Sequence, residues 1–228
     1  MFKIREARKL AEKIFFMEVE APRVAKACQP GEFIIVRVDE KGERIPLTIC
    51  DYNREEGTIC IVFQTVGYST ERMAALKAGD SFADVTGPLG NPSEFVHEDL
   101  ETLQSKKLLF IAGGVGTAPV YPQVKWLHEH GVEVDVIVGA KTKDLLILTK
   151  EMAEVSDYLY VATDDGSYGF KGLVTEVLED LVVNQHKQYD HCVVIGPMIM
   201  MKFACMMTKR LEIPTTVSLN PIMVDGTG

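Results

Sequence analysis

Through residues 13–66, apolar positions come in short runs divided by turn-forming residues. KIFFMEVEA (13–21) alternates, and EFIIVRVD (32–39), RIPLTICDY (44–52) and GTICIVFQTV (57–66) are β-branched runs of strand length. QPG (29–31), EKGE (40–43) and REEG (54–57) punctuate them. Strands at this spacing predict an antiparallel barrel or sandwich. STERMAALKAG (69–79) interrupts them as a helix, with Ser69 or Thr70 as its cap and Gly79 as its stop.

The pattern changes at FVHEDLETLQSKK (95–107), which is polar and shows no strand alternation, so the domain boundary is placed there. Residues 1–97 form a first domain and 98–217 a second, with 218–228 following. In the second, KLLFIAGG, EVDVIVGA, YLYVATDD, HCVVIGP and IPTTVSL read as nearly continuous apolar strands. APVYPQVKWLHEHG, LTKEMAEVS, GLVTEVLEDLVV and MIMMKFACMMTKRL read as helices between them. That alternation predicts a parallel sheet covered on both faces, a Rossmann-like α/β domain.

Composition narrows the function. With 24 basic and 33 acidic residues the net charge is −9, which argues against a nucleic-acid backbone as partner. No window reaches the ~20 apolar residues of a membrane span, and FKIREARKL after Met1 lacks the apolar core of a signal peptide. The expectation is a cytoplasmic protein. Cys28, Cys50, Cys60, Cys192 and Cys205 are scattered without metal-ligand spacing and read as small buried hydrophobes.

Chemistry concentrates in LLFIAGGVGTAPVYP (108–122). Gly113, Gly114 and Gly116 follow a predicted strand and precede a predicted helix, the context of a turn that cradles a pyrophosphate on backbone amides. Pro119 is compatible if it stands in the first helical turn. A tight turn without a ligand remains the alternative. TDDGSYGFKG (163–172) and VVIGPMIMM (193–201) close later strands at the same end of a parallel sheet, where such sheets bind ligands. The methionine-rich stretch 198–207 fits one helix and reads as core packing.

Taken with GERIPLTIC (42–50), VFQTVGYST (62–70) and TGPLGNPSEF (86–95), these motifs in this order resemble the ferredoxin–NADP reductase superfamily over essentially the whole chain. The resemblance is nearest to the small subunits of NADH-dependent reduced ferredoxin:NADP oxidoreductase, with the electron-transfer subunit of dihydroorotate dehydrogenase a near relative. It implies an N-terminal FAD-binding β-barrel followed by an NAD(P)-binding domain. It places Arg44, Pro46, Leu47 and Thr48 on the first flavin motif and Gln64, Thr65, Val66 and Gly67 on the second. Ser69 and Thr70 fall on its phosphate contact. Gly113, Gly114, Gly116 and Thr117 match the dinucleotide turn, and Gly196 and Pro197 the turn beneath the nicotinamide. Asp164 and Asp165 stand where NADP-selective relatives carry basic residues, which favours NAD(H) over NADP(H); an Asx turn before Gly166 is the alternative. Two positions depart from the pattern: Ile45 stands where many relatives have the arginine, and Ile195 where many have a cysteine.

The sequence closes on SLNPIMVDGTG (218–228). The resemblance implies that this segment opens a [2Fe-2S]-binding piece in which Asp225 joins later cysteines as a metal ligand. Those cysteines are absent here, so a truncated chain without a complete cluster is expected. The implied activity is that of a flavin-dependent oxidoreductase subunit passing electrons from NAD(H), through FAD and an iron–sulfur centre, to a larger flavin/iron–sulfur subunit in a heterodimer that serves ferredoxin. Hydride transfer between cofactors needs no catalytic acid, base or nucleophile, and none is assigned. Two alternatives stay open: an electron-transfer subunit of dihydroorotate dehydrogenase or of a sulfide or hydrogenase complex, and a binding protein with decayed nucleotide sites.

Overall fold

The computed structural model describes residues 1–219, which fall into two compact units, Met1–Val96 and the residues from His97 onward. The first unit contains β1 (Phe2–Ala11), β2 (Ile14–Glu20), α1 (Pro22–Ala27), β3 (Phe33–Arg37), β4 (Ile45–Asn53), β5 (Thr58–Gln64), α2 (Tyr68–Ala74), β6 (Ser81–Phe82) and β7 (Asp84–Leu89). Its strands form one antiparallel sheet in the order β6-β1-β2-β5-β4-β3-β7. One short run closes the curl. Ser81 and Phe82 pair with β1, the Ala83 amide donates to the Arg37 carbonyl at 3.0 Å, and β7 pairs with β3. The result is a near-barrel whose inward residues, among them Met17, Val19, Ile34, Val36, Ile49, Ile59, Ile61 and Phe63, make one core.

Bulges steer this sheet. Between Ile49 and Asp51 of β4 one extra residue, Cys50, faces a single step of β5, so the inward phase shifts from Ile45, Leu47 and Ile49 to Tyr52. β1 carries two such irregularities, at Ile4/Glu6 and Lys9/Ala11. They break its alternation, and its outer side is charged, with Arg5 bonded to Glu20 and Glu56. That is why β1 has no clean strand signal in the sequence. TGPLG is likewise no isolated turn: it lies in β7, where an irregularity of register accommodates Gly87 and the cis-linked Pro88. The helix expected over 69–79 is shorter, and Gly67 rather than Ser69 or Thr70 is its N-cap.

The second unit contains α3 (Leu100–Gln104), β8 (Leu108–Gly113), α4 (Thr117–Glu129), β9 (Val134–Ala140), α5 (Thr149–Val155), β10 (Tyr158–Thr163), β11 (Phe170–Lys171), α6 (Val174–Glu179), β12 (His191–Ile195), α7 (Met198–Arg210) and β13 (Thr215–Val217). Its strands are parallel, in the order β11-β10-β9-β8-β12-β13. β8 is buried at every residue, as expected of a central strand covered on both faces. α4 packs with α5, and α6 with α7, with Val177, Leu178, Met201 and Ala204 closing the core over Leu109, Ile111 and Val194. Of the five cysteines, Cys28, Cys50 and Cys192 are buried, whereas Cys60 and Cys205 are partly exposed. Burial pushes the Cys28 thiol up to about 12 and the Cys192 thiol higher still. Among the described residues no helix is long and apolar enough to cross a membrane.

Opposite the glycine turns, at the start of β9, the buried Asp135 carboxylate accepts from Lys187 Nζ at 2.7 Å and from Tyr189 Oη at 2.6 Å. The ammonium lies 4.0 Å from the Tyr158 ring centroid and 5.3 Å from that of Tyr160. Burial, then the neighbouring carboxylate, push the Tyr189 hydroxyl above its ordinary range, so it remains a donor. Asp135→Ala removes the shared acceptor and is expected to lower stability by about 1–3 kcal/mol. Calorimetry should then show a melting-temperature drop of roughly 2–10 °C. An unchanged midpoint would mean that the cluster contributes nothing net.

Candidate functional site

In the parallel sheet, β8 is followed through a 3-10 turn, Gly114–Gly116, by α4. The amides of Gly114, Val115 and Gly116 precede the first intrahelical bonds and have no helical acceptor. Thr117 is buried at the start of α4 and Pro119 stands in its first turn. The three glycines have different reasons. A Cβ on Gly116 would lie 2.4 Å from the Ile195 carbonyl oxygen and 2.8 Å from Gly196 Cα. A Cβ on Gly113 would lie 2.3 Å from Met200 Sδ and 3.2 Å from Pro197 Cδ. Gly114 alone has φ +54° and nothing within 4 Å of a side chain. Two glycines thus let the β8 turn press against the β12 turn, and the third opens the backbone outward.

Strand order places this contact. β8 separates β9 and β10 on one side from β12 and β13 on the other, so the chain reverses its direction of winding between β8 and β12. That switch point, at the carboxyl ends of the strands, is where open parallel sheets bind ligands. The register brings in the third turn: Gly113 pairs with Gly139, which pairs with Ala162, so β10 ends at the same level. Asp164 follows there, two strands away, or about 10 Å.

The 164–169 loop is held from within. Thr163, fully buried, donates from Oγ1 to the Tyr168 carbonyl at 2.7 Å and accepts the Tyr168 amide at 3.0 Å. Asp165 Oδ1 accepts the Ser167 amide at 2.9 Å and the Ser167 hydroxyl at 2.6 Å. The Asx turn left open in the sequence is therefore present at Asp165. The Ser167 hydroxyl, then its amide, hold the Asp165 carboxyl below the usual carboxylate range. The Asp164 side chain is exposed and makes no hydrogen bond among the described residues. The sequence reading missed Thr163; the T-D-D-G spelling, a hydroxyl just before an Asx turn, is the signal that could have found it.

In the barrel unit the flavin-motif residues line a break in the sheet. Residues 45–48 of β4 pair with β3, but the ladder to β5 begins only at Ile49. The Ile49 amide donates to Glu32 of the β3 side at 3.1 Å. By antiparallel alternation, Pro46 and Thr48 direct their backbone polar groups away from β3. Pro46, with no N–H, suits that unpaired edge. Ile45 and Leu47 turn inward against the core. Gln64, the last residue of β5, and Val66 beyond it are exposed, and the Thr65 amide is pinned to the Lys13 carbonyl at 2.8 Å.

Thr70 is turned inward. Its Oγ1 accepts the Val66 and Gly67 amides at 3.0 and 3.2 Å and donates to the Gly67 carbonyl at 2.9 Å. The Ser69 hydroxyl donates to Glu43. Arg44 is half-exposed, with Nη1 3.6 Å from Asp84. A contact that long at the surface holds the guanidinium weakly.

Comparison with known proteins agrees with this geometry. Residues 110–206 match the oxidoreductase NAD-binding domain. A solved NADH-dependent reduced ferredoxin–NADP oxidoreductase superposes with a TM-score of 0.88 at 43% identity, over 100% of this chain and 79% of that one. The dihydroorotate dehydrogenase B electron transfer subunit homolog of Thermotoga maritima is 45% identical, across 96% of this chain and 74% of its own. The chain belongs to this family of electron-transfer subunits. An uncharacterized protein from the adh 3′ region of Clostridium beijerinckii is 62% identical over the full chain and 77% of its own length. As a member, the chain is an NAD(P)H oxidoreductase subunit of ferredoxin reductase-like fold.

Asp225 and the segment from residue 220 lie outside the described residues, and the described ones hold no group of three His, Cys, Asp or Glu able to bind a metal. The glycine analysis gives a direct test. Gly116→Ala drives a methyl into backbone and should cost about 2 kcal/mol or more. Gly114→Ala should cost about 1 kcal/mol, from its left-handed backbone alone. Urea unfolding curves of the two variants would rank them, and the reverse order would overturn the packing argument.

Proposed function

We propose that this chain accepts reducing equivalents from NADH at its parallel-sheet unit and passes them through an FAD held on its barrel unit to a partner subunit. The observation that carries the reading is the switch-point turn, where Gly114 faces open space at the start of α4 while Gly113 and Gly116 lock the turn to Gly196 and Pro197. A flavin held there would supply the conversion between two-electron hydride chemistry and one-electron transfer.

The residues bind and orient. The Gly114, Val115 and Gly116 amides, at the start of α4, would donate to the oxygens of a nucleotide pyrophosphate, and the absence of a side chain at Gly114 would let it approach. Thr117, buried, fixes the first turn of that helix. Gly196 and Pro197 would lie beneath the nicotinamide, with Ile195 giving an apolar floor where a thiol is common. Asp164, with its carboxylate uncommitted, would accept ribose hydroxyls and repel a 2′-phosphate. Asp165 contributes charge while its bonds shape the loop.

On the barrel, the unpaired edge of Pro46 and Thr48, with Leu47 between them bound to β3, would offer backbone acceptors and an amide to the polar rim of a flat ring. Gln64, Thr65, Val66 and Gly67 would flank it, and Arg44 would meet the diphosphate by exchanging its loose Asp84 contact. Ser69 would face that phosphate by releasing Glu43, whereas Thr70 acts by holding the 66–67 backbone in place. Nothing in these roles moves a proton. The iron–sulfur centre, Asp225 as its ligand, and ferredoxin as a substrate of the complex belong to this proposal through kinship with the solved oxidoreductase. A second reading has a dihydroorotate dehydrogenase as partner, supported by the names of relatives 45% and 32% identical.

The visible spectrum of the anaerobically purified chain, reconstituted with FAD, tests the reading. Flavin bands should appear and bleach faster with NADH than with NADPH; a protein that takes up no FAD would overturn it. Asp164→Asn should narrow the NADH preference about tenfold, or ~1.4 kcal/mol, as read from kcat/KM for both nucleotides. An unchanged ratio would remove Asp164 from nucleotide selection.

A further inference from the structure

Helix α7 does not have the face that its sequence suggests. Of the methionines at 198, 200, 201, 206 and 207, only Met201 is buried in the core. The sheet-facing row is Met201, Ala204 and Thr208, at helical spacing. On the opposite side Ile199, Phe203 and Met206 follow at i, i+4 and i+7, and with Met198 they are 61, 50, 58 and 67% exposed. The expectation that this stretch is core packing therefore holds for one face only. An exposed run of this size is the mark of an interaction surface, and methionine adapts readily to a partner's contour.

Charge gives the partner's chemistry. α7 contains Lys202, Lys209 and Arg210 and no acidic residue, in a chain of net charge −9. Arg210 is paired with Glu179 of α6, but Lys202 and Lys209 have no ion pair among the described residues. An apolar stripe with free cations at its margin fits an apolar surface rimmed by carboxylates. A second copy of the chain fits worse, because two α7 faces in symmetric contact would bring like-charged lysines together. α7 also starts directly after Gly196–Pro197, so a protein seated on it abuts the switch point.

We propose that the exposed face of α7 is the docking surface for the acidic, apolar-centred face of the partner subunit that exchanges electrons with this chain. The proposal rests on the electron-transfer reading above and adds where the partner sits. The test titrates the purified catalytic subunit of the complex against the full FAD-loaded chain and measures Kd calorimetrically. Phe203→Glu with Met206→Glu should weaken binding at least 100-fold, while NADH oxidation with an artificial dye stays at the wild-type rate. Lys202→Glu with Lys209→Glu should weaken it about tenfold at low salt, the effect shrinking as salt screens the charges. In the complex, amides 198–210 should exchange hydrogen more slowly than in the free chain.

Unchanged Kd in both double variants would overturn the proposal. So would protection of α7 already present in the free monomer, or a free chain that is a dimer which Phe203→Glu and Met206→Glu dissociate. Loss of dye reduction in the wild type would instead strike the electron-transfer reading, leaving the measured Kd values to judge the surface.

Discussion

The parallel-sheet unit depends on two turns meeting with no side chain between them. Gly116 lies so close to the Ile195 carbonyl and Gly196 Cα that a Cβ there would require the backbone to move, whereas a Cβ on Gly113 would have to displace the Met200 thioether and press on Pro197. This contact joins β8 to β12 where the winding reverses. It fixes the height at which α4 starts, and with it the direction of the amides at its first turn. A larger residue at Gly116 would push the two turns apart and tilt those amides away. The motif is thus a packing constraint first, and ligand access follows from the one glycine, Gly114, which the packing does not use.

The barrel unit reaches an open polar edge by a different route. Cys50 inserts an extra residue into β4, the inward phase shifts, and the ladder to β5 ends at Ile49. Pro46 then sits where a missing amide costs nothing. Thr65 and Thr70 anchor the following loop to backbone, so the exposed Val66 and Gly67 are presented from a held segment. Both units therefore expose backbone polar groups on a framework that is satisfied around them, as expected of a site organised before its ligand arrives.

A single helix links site and surface in the second unit. α7 buries Met201 and Ala204 against the sheet, lends Met200 to the glycine contact, and carries Phe203 and Met206 to solvent. The element that supports the glycine turn is thus also the one with an unpartnered apolar face.

The sequence by itself determined the succession of strands and helices in the second unit. Its strands are buried on both faces and read as unbroken apolar runs, and the glycine and proline punctuation is local chemistry. It also located the three turns and, through motif order, the family. It did not disclose β1 or β7, because bulges erase the two-residue period that marks a strand, nor α1 and β6, which at six and two residues are too short to show a period. Nor could it separate the three glycines: only the approach of β12, some eighty residues away in the chain, tells which are packed and which is open. The inward turn of Thr70 and the two faces of α7 were likewise decided by the folded structure, which also settled the Asx turn that the sequence had offered as an alternative at Asp165. A residue type says what a side chain can do, but its neighbours in space decide which of those things it does.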